Sequence, residues 1–264
     1  MMRRLVVILF AAATLPALLG AQGLAYTAQS ARYAISNKIH TVQEMMGQHM
    51  EIDATSEQQV SVAAVAKAPG QFDYSASIDS LVVTTSMGPP TDVSKIVGTK
   101  FVGVMGANGK VTGGSYTVPA GGEEKAPQAL GLMNVLPVIV PNAKTGTTWT
   151  DTVTSDVVQA NGSKVKAILV LTYTMAGDSL VGGRKAFKLT YTATASLSGQ
   201  GSQQGNDFTI EGKTTGKGVA VIASTGQYLG REGSEEANLT VTVEAAGIVI
   251  PITQSATVKI SLMK

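Results

Sequence analysis

The sequence predicts an all-β protein: a long-stranded antiparallel meander curled into an open or half barrel, with one short helix connecting two halves. Two observations carry this. The first is strict alternation. Val165, Ala167, Leu169, Leu171, Tyr173 and Met175 fall at every second position, with Lys164, Lys166, Thr172 and Thr174 among them. Phe187, Leu189, Tyr191, Ala193, Ala195 and Leu197 repeat the pattern. A period of two sets one face on a core and the other in water. The second observation is length. The stretch from Lys164 to Ala176 would span about 43 Å at ~3.3 Å per residue, beyond the usual strand. Long antiparallel strands twist and coil, and so curl toward a barrel.

Residues 1–25 read as a secretory signal peptide. Arg3 and Arg4 form a positive start, and Leu5 to Leu19 is an apolar run broken by Pro16. That run is short for a membrane span, which needs roughly twenty residues. Small residues suited to cleavage stand at Ala21, and at Ala25 with Gly23 two positions before it. The chain is therefore expected to be exported, periplasmic or secreted, with a mature N-terminus between Gln22 and Thr27. No cysteine follows the apolar run, or occurs anywhere. A thioether-linked lipid and disulfides are both excluded.

Residues 26–264 read as a single β-rich domain, with halves of about 30–118 and 146–264 joined by a helical connector at 119–145. The first half opens with Tyr33, Ile35 and Ile39, then Met50, Ile52 and Ala54 leading to Val60, Val62 and Ala64. Pro69-Gly70 is a turn before Phe72, Tyr74, Ala76 and Ile78, and Gly88-Pro89-Pro90 ends that strand. Thr91 or Asp92 can cap one helical turn from Val93 to Val97, closed by Gly98. Asn108-Gly109 between Phe101–Met105 and Val111–Val118 is a hairpin signal. In the connector, Pro127 suits a first helical turn, and Leu130, Met133 and Leu136 have helical spacing. Pro137 and Pro141 end it.

The second half reads as a meander of shorter pieces. Trp149–Ser155 turns at Asn161-Gly162 into Lys164–Met175, which turns at Gly182-Gly183 into Ala186–Leu197. After a loop at Gly199–Gly205 come Phe208–Gly212, Val219–Ala223, Gln227–Arg231, Leu239–Ala245, Ile248–Ile252 and Ala256–Leu262. Gly103, Gly212 and Gly218 are expected at bends or bulges. Trp149 is expected to anchor this half against a helix from Gln128 to Leu136.

Charge limits the partners. Arg3 and Arg4 leave with the signal and no acid does, so 18 basic residues balance 18 acidic ones. A neutral chain has no electrostatic case for nucleic acid or an anionic membrane. No transmembrane segment is expected in the mature chain. An outer-membrane barrel would carry aromatic girdles, whereas aromatics make up 5% here and the chain ends Leu262-Met263-Lys264.

Catalytic chemistry is sparse. There is no G-x-S-x-G elbow, and Gly113-Gly114-Ser115-Tyr116 follows a hairpin instead of preceding a helix. His40 and His49 are the two histidines, and both sit at the N-terminal hairpin. Asp151, Asp156, Asp178 and Asp207 lie at strand ends or turns, where carboxylates cap or face solvent. Gly199-x-Gly201 and Gly216-Lys217-Gly218 lack the strand-to-helix context of a phosphate loop. No enzyme and no cofactor are expected. The one set of soft ligands is Met45-Met46-Gly47-Gln48-His49-Met50, which offers His40, Met46, His49 and Met50 to copper(I). Alternation sends Met45 and Met46 to opposite faces and splits His49 from Met50, leaving two convergent ligands. No stoichiometric copper site tighter than micromolar is expected.

Several segments together resemble a family of uncharacterised exported bacterial β-proteins, a domain of unknown function. These are Met45-Met46-Gly47-Gln48, Val97–Phe101 followed by Asn108–Val111, Pro141–Trp149, and Ile210–Gly218 with Thr225-Gly226 beyond. This chain lacks the lipidated cysteine of many relatives, and the family brings no established activity. More loosely, the architecture is similar to periplasmic lipoprotein carriers, open barrels that hold acyl chains on an apolar concave face. The resemblance implies a hydrophobic small molecule or lipid as partner. Candidates for the ligand face are Leu169, Leu171, Tyr173, Leu189, Tyr191 and Trp149. The competing expectation is a structural or interaction module of the cell envelope whose concave face is filled by its own side chains.

Overall fold

The computed structural model describes residues 23–45, 47–89, 92–122, 131–158, 163–203 and 206–264. Eleven strands form one antiparallel sheet. The first half supplies β1 (Gln29–Met45), β2 (Gln48–Ala68), β3 (Gln71–Thr85), β4 (Lys100–Gly106) and β5 (Val111–Thr117). The second supplies β6 (Thr148–Val158), β7 (Lys164–Val181), β8 (Arg184–Gln203), β9 (Asn206–Ala223), β10 (Tyr228–Val243) and β11 (Ile248–Leu262). Their order is β5-β4-β3-β2-β1-β11-β10-β9-β8-β7-β6. The first and last strands pair at the centre, from Tyr33 opposite Leu262 to Gln43 opposite Ile252. Each flank is then a meander. The edges β5 and β6 do not pair, so the sheet is rolled but open. The expected all-β open architecture is the one found.

The strands are longer than the alternation alone indicated. β2 has 21 residues and β8 has 20, about 65 Å of extended chain. Phe208–Gly212 and Val219–Ala223 are two ends of β9, and β10 and β11 likewise each unite two expected pieces. The Gly199–Gly205 loop is mostly strand, since β8 runs to Gln203. Gly212 and Gly218 are not bulges: both pair in regular register with β8 and β10. They are small because neighbours lie across them, Leu239 over Gly212 and Tyr191 over Gly218. Gly103 does sit at an irregularity, where Gly113 and Gly114 form an insertion in β5 opposite it.

Local turn chemistry follows the sequence. At Asn108-Gly109 the Gly109 N–H donates to the Gly106 carbonyl at 2.8 Å, with Gly109 at φ 81°. A Cβ there would collide with the Tyr26 ring and lie 2.7 Å from the Pro137 carbonyl, so glycine is required twice over. The Asp92 carboxylate accepts from the Ser94 N–H at 2.9 Å, and the Ile96 and Val97 N–H groups both reach the Val93 carbonyl. That single turn ends at Gly98. Thr91 and the Asn161-Gly162 turn lie outside the described residues.

Among its described residues the connector holds no α-helix. Residues 128–130 lie outside the described residues, and residues 131–134 form one 3-10 turn. Pro137 explains the short run, because proline disfavours helical conformation in the residue before it and cannot donate. Its apolar spacing is still used: Leu132, Val135, Leu136 and Ile139 are all buried.

These residues plug one end of the rolled sheet. They meet inward residues of the strands, among them Tyr33, Val60, Ile78, Phe101, Met105, Leu189 and Ile222, in one core. The segment before β1 completes it. Leu24 and Tyr26 are buried, Tyr26 N–H donates to the Ala107 carbonyl at 2.9 Å, and Tyr26 Oη donates to the Pro137 carbonyl at 2.8 Å. Asn142 N–H donates to the Leu24 carbonyl at 2.9 Å.

Seven tyrosines make this end sensitive to alkali. Burial pushes Tyr173 and Tyr116 up to about 12. Burial raises Tyr26, Tyr33, Tyr74, Tyr191 and Tyr228 too. An unfolded chain ionises its tyrosines near pH 10. Ionisation is thus easier unfolded than folded, so the stability these phenols carry is whole below about pH 10 and is lost above it. The melting temperature should fall steeply between about pH 10 and 12. A midpoint still level at about pH 12 would contradict the buried placement.

Candidate functional site, the concave face

The inward face changes character along the strands. At the plugged end, register aligns Trp149, Tyr173, Tyr191, Gly218, Gly233, Val258 and Asn37 in one row across seven strands. Glycines at 218 and 233 let the Tyr191 ring lie flat, since a Cβ at either would collide with its hydroxyl. The six ligand-face candidates share this side of the sheet, but self-packing has used most of them. Leu189 is 0% exposed, Tyr173 2% and Tyr191 6%, while Leu171 is buried and Leu169 and Trp149 are half-buried. Leu171, Tyr173, Leu189 and Tyr191 are core residues with little surface left for a guest.

Trp149 ties the connector to the sheet. Its indole N–H donates to the Val138 carbonyl at 2.9 Å, and its ring stacks on Tyr173 at 5.8 Å and 21°. The anchor is therefore residue 138, just past the expected helix. Trp149→Ala should cost about 3 kcal/mol, at the low end for a core indole because the ring is only half-buried. The intact protein should emit to the blue of free tryptophan. Solvent-like emission with an unchanged melting temperature would overturn this.

Toward the other end the same face mixes apolar with polar residues and loses its cover. One row reads Met50, Gln43, Ile252, Leu239, Gly212, Leu197, Ala167 and Ser155 across eight strands. The row before it carries Ile52, Ala237, Ala195, Leu169 and Val153, and the row after it Ile250, Val241, Ile210 and Val165. Ile52, Leu197, Ile210, Leu239 and Ile252 are half-buried and stand outside the core cluster. Of the residues in these rows, Leu169 was among the sequence candidates.

Polar groups also face inward, among them Thr41, Gln43, Thr214 and Gln254 in the strip. Arg231 faces Ala220 on β9 and Ile260 on β11, both buried, and so projects inward. Its charge acts on the Tyr173, Tyr191 and Tyr228 hydroxyls. Its Nε is buried without a hydrogen-bond partner, as are Tyr228 Oη and Asn37 Oδ1. Glu235 and Asp151 share the next-but-one row, toward the open strip.

The metal candidates do not converge. Register sets Glu44 opposite His49 and Asp53 opposite His40, which places the two imidazoles four residues apart along β1, about 13 Å. His40 Nδ1 lies 2.9 Å from Asp53 Oδ1, and His49 Nε2 3.1 Å from Glu51 Oε1. Met50 points to the opposite face, where Gln43 donates to its sulfur at 3.1 Å. Met46 lies outside the described residues. Among those described, no three His, Asp or Glu side chains are grouped to hold a metal ion.

Fold and face together define an open, rolled antiparallel sheet, plugged at one end and lined by mixed apolar and polar residues along its concave remainder. No family model and no curated protein matches the sequence. Among solved structures the chain is similar to OccK2 (OpdF) of Pseudomonas aeruginosa, at TM-score 0.30 and 9% identity over 92% of this chain and 100% of that one. It is similar to the hypothetical lipoprotein YmcC of Escherichia coli, at TM-score 0.23 and 15% identity over 82% and 85%. A DUF1329 family protein of Desulfovibrio piger gives TM-score 0.14 and 9% identity over 86% and 84%. These likenesses are slight, and the fold rests on the strand register. No helix among the described residues is long and apolar enough to cross a membrane.

Proposed function

We propose that this chain is an exported, non-enzymatic binding protein of the bacterial envelope that holds a lipid or other hydrophobic ligand along the open strip. One observation carries the reading: Leu197, Ile210, Leu239 and Ile252 lie together on a concave face, outside the core cluster and only half-buried. Clustered apolar side chains left open on a concave face support a binding site. The Arg3-Arg4 start and its apolar run support export, as do the segments that resemble exported β-proteins. The sparse nucleophile and base inventory supports a carrier or sensor over an enzyme.

The second reading, an interaction module with a self-filled core, draws on the plugged end, where Leu189, Tyr173 and Ile222 leave no room. Titration with the neutral apolar dye N-phenyl-1-naphthylamine separates the two. The binding reading expects saturable fluorescence at low micromolar concentration and a fixed stoichiometry. A linear, non-saturating response would favour the module.

A further inference from the structure

We propose that the plugged end is a docking surface for an anionic lipid membrane, reached through the tip of the β7–β8 hairpin. This goes beyond the ligand reading and stands whether or not the strip is occupied.

The net charge is only +2, but register separates the charges along the strands. The turns at the plugged end carry Lys67, Lys110, Lys144, Arg184 and Lys185. Those at the open end carry Glu44, Glu51, Asp207 and Glu244. Strand β8 alone puts about 60 Å between the two ends, against a screening length of about 8 Å at physiological salt. Each end therefore meets a partner with its own charge, not with the neutral sum. Lys67 is paired with Asp73 at 2.7 Å, and Arg184 donates to Gln227 at 3.3 Å. From Met175 to Leu189 the cations are Arg184, Lys185 and Lys188, against the single acid Asp178. None of these three cations forms an ion pair among the described residues.

The same tip carries an apolar element. Leu180 is 72% exposed, the most of any large hydrophobic residue described, and Val181 beside it is 40% exposed. β6 begins opposite Thr174 and β9 ends opposite Ala186, so the tip reaches past both neighbouring strands. Gly182 and Gly183 close the turn at φ 56° and 77°, which sets Leu180 opposite Lys185 and Val181 opposite Arg184. Apolar side chains at a projecting tip, collared by cations, suit a lipid headgroup layer. The hydrocarbon leaves water there while the ammonium and guanidinium groups reach the phosphates. A nucleic acid would use the cations and leave Leu180 and Val181 in water, so it fits the tip less well. The acidic open end is repelled from the same surface, which turns that end away from the membrane.

Flotation of the protein with phosphatidylcholine vesicles, with and without about 30% phosphatidylglycerol, tests this at low salt and at about 0.5 M salt. The anionic vesicles should bind at least about 10-fold more tightly than the neutral ones, and high salt should remove the difference. Arg184→Gln with Lys185→Gln should weaken that binding about 10- to 30-fold, from about 5-fold per cation near the surface. Leu180→Ser with Val181→Ser should weaken it too, and both pairs are exposed, so the melting temperature should hold. Equal binding to both vesicle types by the wild type, or none to either, would overturn the proposal without any variant having to fold. Binding to a short DNA duplex but not to vesicles would overturn it in favour of nucleic acid. The strip variant Leu197→Glu, Leu239→Glu should still float with the anionic vesicles. Its failure to do so would move the contact to the strip and overturn the proposal, and flotation is scored independently of dye binding.

Discussion

Tyr26→Ala is expected to lower the melting temperature by roughly 10–15 °C, from a loss of about 3–5 kcal/mol. Tyr26 lies before the first strand, where a terminal segment would ordinarily tolerate change. Here it is the pin of the plug. Its backbone reaches Ala107, its hydroxyl reaches Pro137 and its ring covers Gly109, so one side chain joins the N-terminal segment, the β4–β5 hairpin and the connector. Tyr26→Phe keeps the ring and removes only the bond to the Pro137 carbonyl, for about 1–3 kcal/mol. Denaturant titration of both variants checks the order of effects. An unchanged midpoint in Tyr26→Ala would show the plug is not structural. The same contacts bear on processing. Cleavage after Ala25 would remove Leu24, which is fully buried and bonded to Asn142, whereas cleavage after Ala21 keeps it. On the proposed export reading, N-terminal sequencing should begin at Gln22, and a start at Tyr26 would contradict the plug.

The double variant Leu197→Glu, Leu239→Glu should abolish binding of the neutral dye while leaving the fold intact. The two leucines are aligned through Gly212 in the centre of the strip and are half-buried, so carboxylates there retain access to water. A hydrophobic guest would have to desolvate them, at a cost well above the gain from a few methylenes. Leu189→Ala provides the contrast. Leu189 is fully buried in the plugged end, so the change should cost about 2–5 kcal/mol and leave binding per folded molecule unchanged. Retained binding in the double variant would move the site elsewhere, and lost binding in Leu189→Ala at full folding would place it under the plug.

Much of the fold was legible where both faces carry contrast. β7 and β8 alternate large apolar with polar residues, and their pairing from Lys164–Gln200 to Met175–Leu189 follows. The alternation fades in β9 and β10 because inward positions there hold Gly212, Thr214, Gly216, Gly218, Gly233 and Glu235. These are small or polar for a reason that lies on neighbouring strands: Leu239, Glu235 and Tyr191 occupy the space above the glycines. Single-strand periodicity cannot register that, and the long strands read as broken pieces. The open strip was less legible for a related reason. The strongest alternation marks the best-packed residues, so Tyr173, Leu189 and Tyr191 stood out though they form core. Arg231 follows a Tyr-Leu-Gly stretch whose bulge between Tyr228 and Gly230 shifts the register, which hid its inward direction.

The most direct test of the central claim is a native mass spectrum of the mature protein purified from its own envelope without detergent. A hydrophobic ligand on the concave strip predicts a population heavier than the polypeptide by a discrete acyl-lipid mass, released on mild activation. A single species at the bare polypeptide mass, with no saturable dye binding in the same preparation, would contradict it.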